Sequence, residues 1–279
     1  MRPSVILQYV LPHRFLSSAV NWATRRTWAP WKNFLIEQIV RRFKVDMDQA
    51  AEPDPRAYVH FNAFFTRALK AGARPLDANP DSLLCPADGR ISQAGPIYAG
   101  RIFQAKGQDY TAAELLGDEA AAAPYAEGEF ATVYLSPRDY HRVHMPCAGK
   151  LVETLHVPGR LFSVAPFAVQ AIPRLFARNE RLVCHFQGEH GPFAVVLVGA
   201  MLVSSVSTVW GDLEIPPYAS HVVRKDYRGT DIQLARGAEM GRFNMGSTVI
   251  LLFPPGGGKL DSLAEEQAVR MGERIGSTR

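Results

Sequence analysis

The chain has 279 residues, 47% hydrophobic and 21% charged, a composition that fits one or two globular domains with room for a buried site and excludes a disordered or fibrous protein. Its net charge of +4 is uneven: residues 1–45 carry eight arginines and lysines against Glu37 alone, a local +7 that leaves −3 elsewhere, so the amino-terminal segment calls for an anionic partner. Three cysteines, Cys85, Cys147 and Cys184, with no C-x-x-C pair, exclude a disulfide scaffold or zinc ribbon and point to inert buried thiols in a reducing compartment.

In chain order, the first 45 residues interleave Val5, Leu7, Phe15, Trp22, Trp28, Trp31 and Phe34 with arginines, the pattern of an interfacial membrane segment rather than of a nucleic-acid binder. Gln8, Pro12, His13 and Arg14 interrupt the apolar run well short of the ~20 residues a bilayer core demands. A cleaved secretory signal is not expected either, since the run contains Pro12 and has no small-x-small exit. The alternative is that these helices pack on the domain or on a second subunit. Residues 31–44 predict an amphipathic helix after Pro30 with basic residues at its end. Asp46 to Asp54 forms a polar linker, and Asp54-Pro55 starts a second helix with the stripe Phe61, Phe64, Phe65, Ala68 and Leu69, ended by Gly72.

From Leu83 onward short apolar runs alternate with Gly and Pro, predicting strands at 130–135, 151–157, 182–186, 193–198, 201–209 and 248–253. Thr111 to Glu114 reads as a capping box for a short helix stopped by Gly117, and Asp261 as the cap of a closing helix through Met271. The fold class expected is α+β: an antiparallel, sheet-rich core with amphipathic amino-terminal helices. Residues 1–50 form the basic membrane-associating segment and residues 51–279 the catalytic domain.

The candidates for chemistry are Asp88 in Pro86-Ala87-Asp88-Gly89, His141 and His144 in Tyr140-His141-Arg142-Val143-His144-Met145-Pro146, and the Gly246-Ser247-Thr248 step. Each alone has a plain reading: a turn aspartate, structural histidines, a turn into a strand. Two histidines three apart lack a third ligand at a recognisable spacing, so no metal is expected, and Gly256-Gly257-Gly258-Lys259 lacks the spacing of a phosphate loop. Together, Asp88, His144 and Ser247 make a charge-relay set in which a carboxylate orients the imidazole that deprotonates the serine.

These segments, with Phe64-Phe65-Thr66-Arg67, Ile102 to Gly107, Tyr134 to Pro146, Leu175 to Arg181 and Met240 to Thr248, closely resemble the bacterial phosphatidylserine decarboxylases of the pyruvoyl-dependent, prokaryotic type. The resemblance runs in order from about Arg56 to Met271, with Met245 where the family often has leucine and Ala87 where it often has valine. It implies that His144, oriented by Asp88, deprotonates Ser247, whose hydroxyl attacks the Gly246 carbonyl. The resulting ester is eliminated and hydrolysed, with loss of ammonia, to a pyruvoyl group at Ser247. The chain thereby splits into 1–246 (beta) and 247–279 (alpha), which remain associated. The pyruvoyl ketone forms a Schiff base with phosphatidylserine and takes up the electrons left as carbon dioxide departs, without pyridoxal phosphate or metal. Phosphatidylethanolamine results once His141, or in competition His144, delivers a proton.

The resemblance also implies a homodimer of processed pairs, peripheral on an anionic membrane at the cytoplasmic face of the cell. No nucleic-acid partner is expected. Leu161 to Phe167 is either a further lipid-touching loop or an ordinary buried one. Two rivals stay open: a Ser-His-Asp hydrolase, although Gly246-Ser247-Thr248-Val249 lacks the G-x-S-x-G elbow, and a non-catalytic membrane-docking protein.

Overall fold

A computed structural model describes residues 3–105, 107–201, 205–216, 218–244 and 248–278 of the chain. The fold is α+β, organised on a nine-stranded sheet in which every pairing is antiparallel. Its middle strand is Thr248–Phe253, flanked by Glu129–Tyr134 and Gly191–Val198. Beyond these lie Gly89–Pro96 and Ala268–Val269 on one side, and Arg181–Gly188, Gly149–Val157 and Val223–Asp226 on the other.

Thr248 to Phe253 reads as an unbroken apolar run because it is buried on both faces. Side chains alternate across a strand, so one sequence feeds two cores. Ile250 and Leu252 enter a cluster with Phe130, Val196 and Phe162, covered by Ala112–Leu116 and Leu175–Arg178. Val249, Leu251 and Phe253 enter the opposite cluster with Val133, Leu197 and Phe186. A four-stranded sheet supplies Val143, Val206, Ile215 and Phe243 to that second cluster; its order is Asp212–Ile215, Val206–Thr208, Glu239–Phe243 and Arg142–His144.

The amino-terminal region contains α1 (Pro3–Val10), α2 (His13–Ala23) and α3 (Ala29–Phe43). As the spacing predicts, α3 ends on Arg41 and Arg42 and stops at Lys44 in the left-handed conformation. Ile36 of α3 packs with Phe61, Phe64 and Phe65 in a third, smaller core. Those phenylalanines belong to α4 (Phe61–Phe65), capped by His60 Nδ1 accepting the Ala63 N–H at 2.9 Å.

The helix expected from Asp54 to Gly72 is thus reduced to five residues. Asp54 closes only a local turn, and the backbone at 68–70 bonds to residues 49–51 instead of continuing its own helical ladder. The closing helix from Asp261 is also absent. Glu266 N–H donates to Ile91 O and Ala268–Val269 pairs with the main sheet, while the Asp261 carboxylate accepts from Arg274 rather than capping. By contrast, Thr111 and Glu114 form the reciprocal capping box, with Gly117 left-handed after the helix. The strand expected over 201–209 is observed at Val206–Thr208, and positions 202–204 lie outside the described residues.

Among the described residues no helix is long and apolar enough to cross a membrane. Ile6, Leu7, Val10, Phe15, Trp22, Trp28 and Phe34 are nevertheless exposed. The loop at 161–167 divides between its two readings: Leu161 and Phe162 are fully buried beneath α1, where Tyr9 lies on Phe162 with ring centroids 5.1 Å apart, whereas Pro166 and Phe167 are exposed.

Candidate active site

His141 and His144 sit at the edge of the four-stranded sheet, held from both sides. The strand Arg142–His144 pairs with Glu239–Phe243, and the Phe243 N–H donates to His141 O at 3.0 Å. On its other side the His144 N–H donates to Pro86 O at 2.8 Å, which brings the Pro86-Ala87-Asp88-Gly89 segment alongside. Gly89 is required there, since a Cβ would fall 2.2 Å from the Tyr134 carbonyl oxygen.

Both imidazoles are buried and each anchors Nδ1 on a backbone carbonyl. His144 Nδ1–H donates to Gly237 O at 2.8 Å, and His141 Nδ1–H donates to Asp139 O at 2.8 Å. A nitrogen that donates to a carbonyl must carry the proton, so the basic lone pair of both neutral rings is on Nε2. The Tyr140 hydroxyl meets His144 Nε2 at 3.1 Å. His141 Nε2 has no hydrogen-bond partner among the described residues, and its ring lies against Phe65 with centroids 4.0 Å apart. Burial pushes the pKa of His141 down to about 3 and lowers that of His144. Both rings are therefore neutral near pH 7, the form in which Nε2 can accept a proton.

Asp88 lies beside this strand and, among the described residues, makes no hydrogen bond to His144. Its carboxylate accepts from Arg74 Nε at 2.8 and 3.1 Å, from Arg74 Nη2, and from the Met271 N–H at 2.9 Å. The direct bond to His144 expected from the sequence is replaced: the Gly237 carbonyl holds the imidazole, and Asp88 acts on it through space as a minor influence. Arg74 takes up the carboxylate because two buried opposite charges with parallel N–H···O bonds satisfy each other more fully than a neutral ring would.

Gly246 and Ser247, with Met245, lie outside the described residues. The chain on either side of them is fixed. Before them, Asn244 Nδ2 donates to Ser205 Oγ at 2.9 Å and Ser207 Oγ at 3.0 Å, and Asn244 Oδ1 accepts from Asn62 Nδ2 at 3.1 Å. After them, Thr248 pairs with both Tyr134 and Val198, and its buried Oγ1 has no hydrogen-bond partner. Tyr140, Gly237, Asn62 and Asn244 were not singled out as functional from the sequence. Tyr140 and Asn244 lie within the quoted motifs, whereas Asn62 and Gly237 meet them only through long-range folding. Among the described residues no three His, Cys, Asp or Glu side chains group as metal ligands.

A family model described as phosphatidylserine decarboxylase matches residues 61–277. The chain belongs to the phosphatidylserine decarboxylase family. A second family model, described as PSD, matches residues 3–44. Curated relatives named phosphatidylserine decarboxylase proenzyme include one from Xanthomonas euvesicatoria pv. vesicatoria, 64% identical over 96% of both chains, and one from Xanthomonas axonopodis pv. citri, 63% identical over the same shares. Another, from Xylella fastidiosa, is 63% identical over 89% of this chain and 85% of its own length.

Proposed function

We propose that the chain is a proenzyme that cuts itself between Gly246 and Ser247 and then converts phosphatidylserine to phosphatidylethanolamine and carbon dioxide. The observation that carries this reading is the base: His144 holds a lone pair on Nε2, fixed by Gly237 and contacted by Tyr140, in a chain where Asn244 and Thr248, on either side of 245–247 in sequence, are each held by hydrogen bonds. In maturation the Tyr140 hydroxyl, which donates to the His144 Nε2 lone pair at 3.1 Å, turns aside, and Nε2 takes the Ser247 hydroxyl proton. Asp88 neutralises Arg74 and supports the cation that forms on His144 through space.

Ser247, converted to a pyruvoyl group, supplies a ketone that condenses with the substrate's amine and draws off the electrons released on decarboxylation. The unpartnered Thr248 Oγ1–H is a buried donor that suits a carbonyl-bearing group, and the His141 Nε2 lone pair a buried acceptor that suits the substrate's amine N–H. His141 carries the proton to the former α-carbon. It must first take up that proton on Nε2, because its Nδ1–H is committed to Asp139 O.

The two fragments stay together because Thr248–Phe253 is the central strand of the main sheet, hydrogen-bonded on both edges. Exposed apolar side chains of α1 to α3, with Arg25, Arg26 and Arg41 between them, favour peripheral contact with an anionic membrane. Residues 1–50 serve that contact and residues 51–279 the chemistry, and the working form is a homodimer of processed pairs. The hydrolase alternative loses ground because the chain belongs to the phosphatidylserine decarboxylase family and Gly246-Ser247-Thr248-Val249 lacks the G-x-S-x-G elbow.

A denaturing gel with intact mass tests the reading. Wild type gives two chains and Ser247→Ala one inactive chain; a wild type that stays intact on prolonged incubation, or a Ser247→Ala variant that splits, overturns it.

A further inference from the structure

Four arginines, Arg67, Arg74, Arg138 and Arg270, line one cavity of ≈ 300 Å³ whose wall includes Asp88, Asp139 and Tyr140; Arg67 is buried and Arg74 nearly so. Arg74 is saturated, with its nitrogens on Asp88, Gln49 Oε1 at 2.6 Å and Ala73 O at 2.7 Å. Arg67 is only 4% exposed, yet two of its three nitrogens are idle. Nη2 donates to Arg138 O at 3.0 Å, the guanidinium stands 5.4 Å from the Phe64 ring centroid, and Nε and Nη1 are buried without a hydrogen-bond partner among the described residues.

The acids that share the cavity are already engaged. Asp88 binds Arg74 and the Met271 N–H. Asp139 accepts the Ser136 N–H and Oγ–H, both at 2.7 Å. Asp46 accepts from Gln49 Nε2 at 2.5 Å and the Asp48 N–H at 3.0 Å. A buried cation with unmade hydrogen bonds is costly, and the partner that matches a guanidinium fork is a planar or tetrahedral oxyanion. Such an anion would sit close to the chemistry. Tyr140, in the cavity wall, bonds His144 Nε2 at 3.1 Å, and Phe65, two residues before Arg67, packs on His141.

Given the proposed function, the substrate offers two anions, a carboxylate and a phosphodiester. Gripping the carboxylate would stabilise the state that must be lost as carbon dioxide, whereas the phosphodiester keeps its charge from substrate to product, so binding it does not oppose the reaction. We propose that Arg67 binds the phosphodiester of the aminophospholipid headgroup in this cavity, whose lining also holds the exposed cations Lys44, Arg270 and Arg138, the last 3.6 Å from Asp139. Arg67 is then a substrate-binding residue, and Arg74 is not.

The lipid's identity rests on the proposed function; the anion site does not, and the experiment separates the two. Calorimetry with glycerophosphoethanolamine, a phosphodiester without a carboxylate, with free serine and with inorganic phosphate is run on purified wild type, Arg67→Gln, Arg67→Lys and the double variant Lys44→Gln/Arg138→Gln. In parallel, kinetics on short-chain phosphatidylserine are measured for chains that have processed. Wild type binds glycerophosphoethanolamine whether or not it has split, so a failure of self-cleavage leaves the anion site testable.

Arg67→Gln weakens that binding about 10- to 100-fold, the usual loss for charge-assisted hydrogen bonds, and raises KM by a similar factor with kcat nearly unchanged. Arg67→Lys recovers part of it, having charge without the fork. Should Arg67→Gln fail to fold by circular dichroism, the surface double variant still decides, with about a three- to tenfold loss expected from two exposed phosphate-facing charges. An unaltered KM and glycerophosphoethanolamine affinity in folded Arg67→Gln, or in the double variant when it alone folds, overturns the assignment. So does a loss confined to free serine, which would place the carboxylate there, or to inorganic phosphate, which would make it a site for the free ion.

Discussion

The two ends of the strand Thr248–Phe253 differ in how completely their surroundings are satisfied. At the Phe253 end the packing is apolar and layered: Phe253 stacks with Phe193 at 6.1 Å between centroids, and Phe193 with Phe186 at 5.3 Å. The Thr248 end follows directly on the Gly246-Ser247 step, and Thr248 Oγ1 is buried without a hydrogen bond. In the segments of the proposed site, His141 Nε2 and two nitrogens of Arg67 are likewise buried and, among the described residues, unbonded. Buried polar groups are ordinarily satisfied; Trp210 Nε1, against Phe186, is an exception at the apolar end, but at the Thr248 end the unsatisfied atoms belong to the residues of the proposed site. Stability is concentrated at one end of this strand and chemical potential at the other.

Substitutions at the two ends should therefore fail in different ways. The largest effect is expected from His144→Gln, which removes the proposed base: the folded variant processes about 10²–10⁴-fold more slowly, followed as the appearance of the small fragment on gels. Self-cleavage at the wild-type rate would remove His144 from that role. Phe253→Ala acts at the apolar end and should cost about 3–5 kcal/mol of stability, read from denaturant unfolding, while the fraction that folds still cleaves. Loss of cleavage in well-folded Phe253→Ala would erase the distinction between the two ends.

A smaller and graded effect concerns pH. The folded pKa of His141 is depressed from 6.5 to about 3 by burial, so between those values the unfolded chain binds a proton that the folded chain refuses. Stability contributed by the neutral ring is present above about pH 6.5 and declines as pH falls, at up to about 1.4 kcal/mol per pH unit for this one group. His141→Gln should flatten the acid limb of a stability-versus-pH curve measured by urea unfolding. An unchanged slope in that variant would mean that the ring is not buried in its neutral form.

The strands were the most legible part of the sequence. Glu129–Tyr134, Gly149–Val157, Arg181–Gly188, Gly191–Val198 and Thr248–Phe253 lie within two residues of their expected bounds, because continuous apolar runs between Gly and Pro have few other uses. Local helix signals fared according to their range. The Thr111 box closed as read, since both partners lie within one turn. Asp54 and Asp261 did not start the helices assigned to them, because backbone pairing with residues 49–51 and with Ile91 overrode the local preference.

At the site, the sequence pointed to Asp88 and the two histidines but not to the bonds between elements. A carboxylate was the natural partner for His144 on paper; a carbonyl from Gly237, 93 positions away, holds the ring instead. Nothing in the spacing of either segment announces that contact. Arg67 was visible only as part of a motif, and its unmade hydrogen bonds could emerge only once the neighbouring acids were seen to be engaged.

The claim at the centre of this account is that Ser247 becomes the reactive carbonyl. Its most direct test is intact mass of the small fragment from purified wild type, with and without a carbonyl reagent such as hydroxylamine. The account predicts a fragment spanning 247–279 that is lighter by one ammonia than a serine-led peptide and that gains one reagent adduct. A fragment of that span with an ordinary amino-terminal serine and no adduct would contradict it.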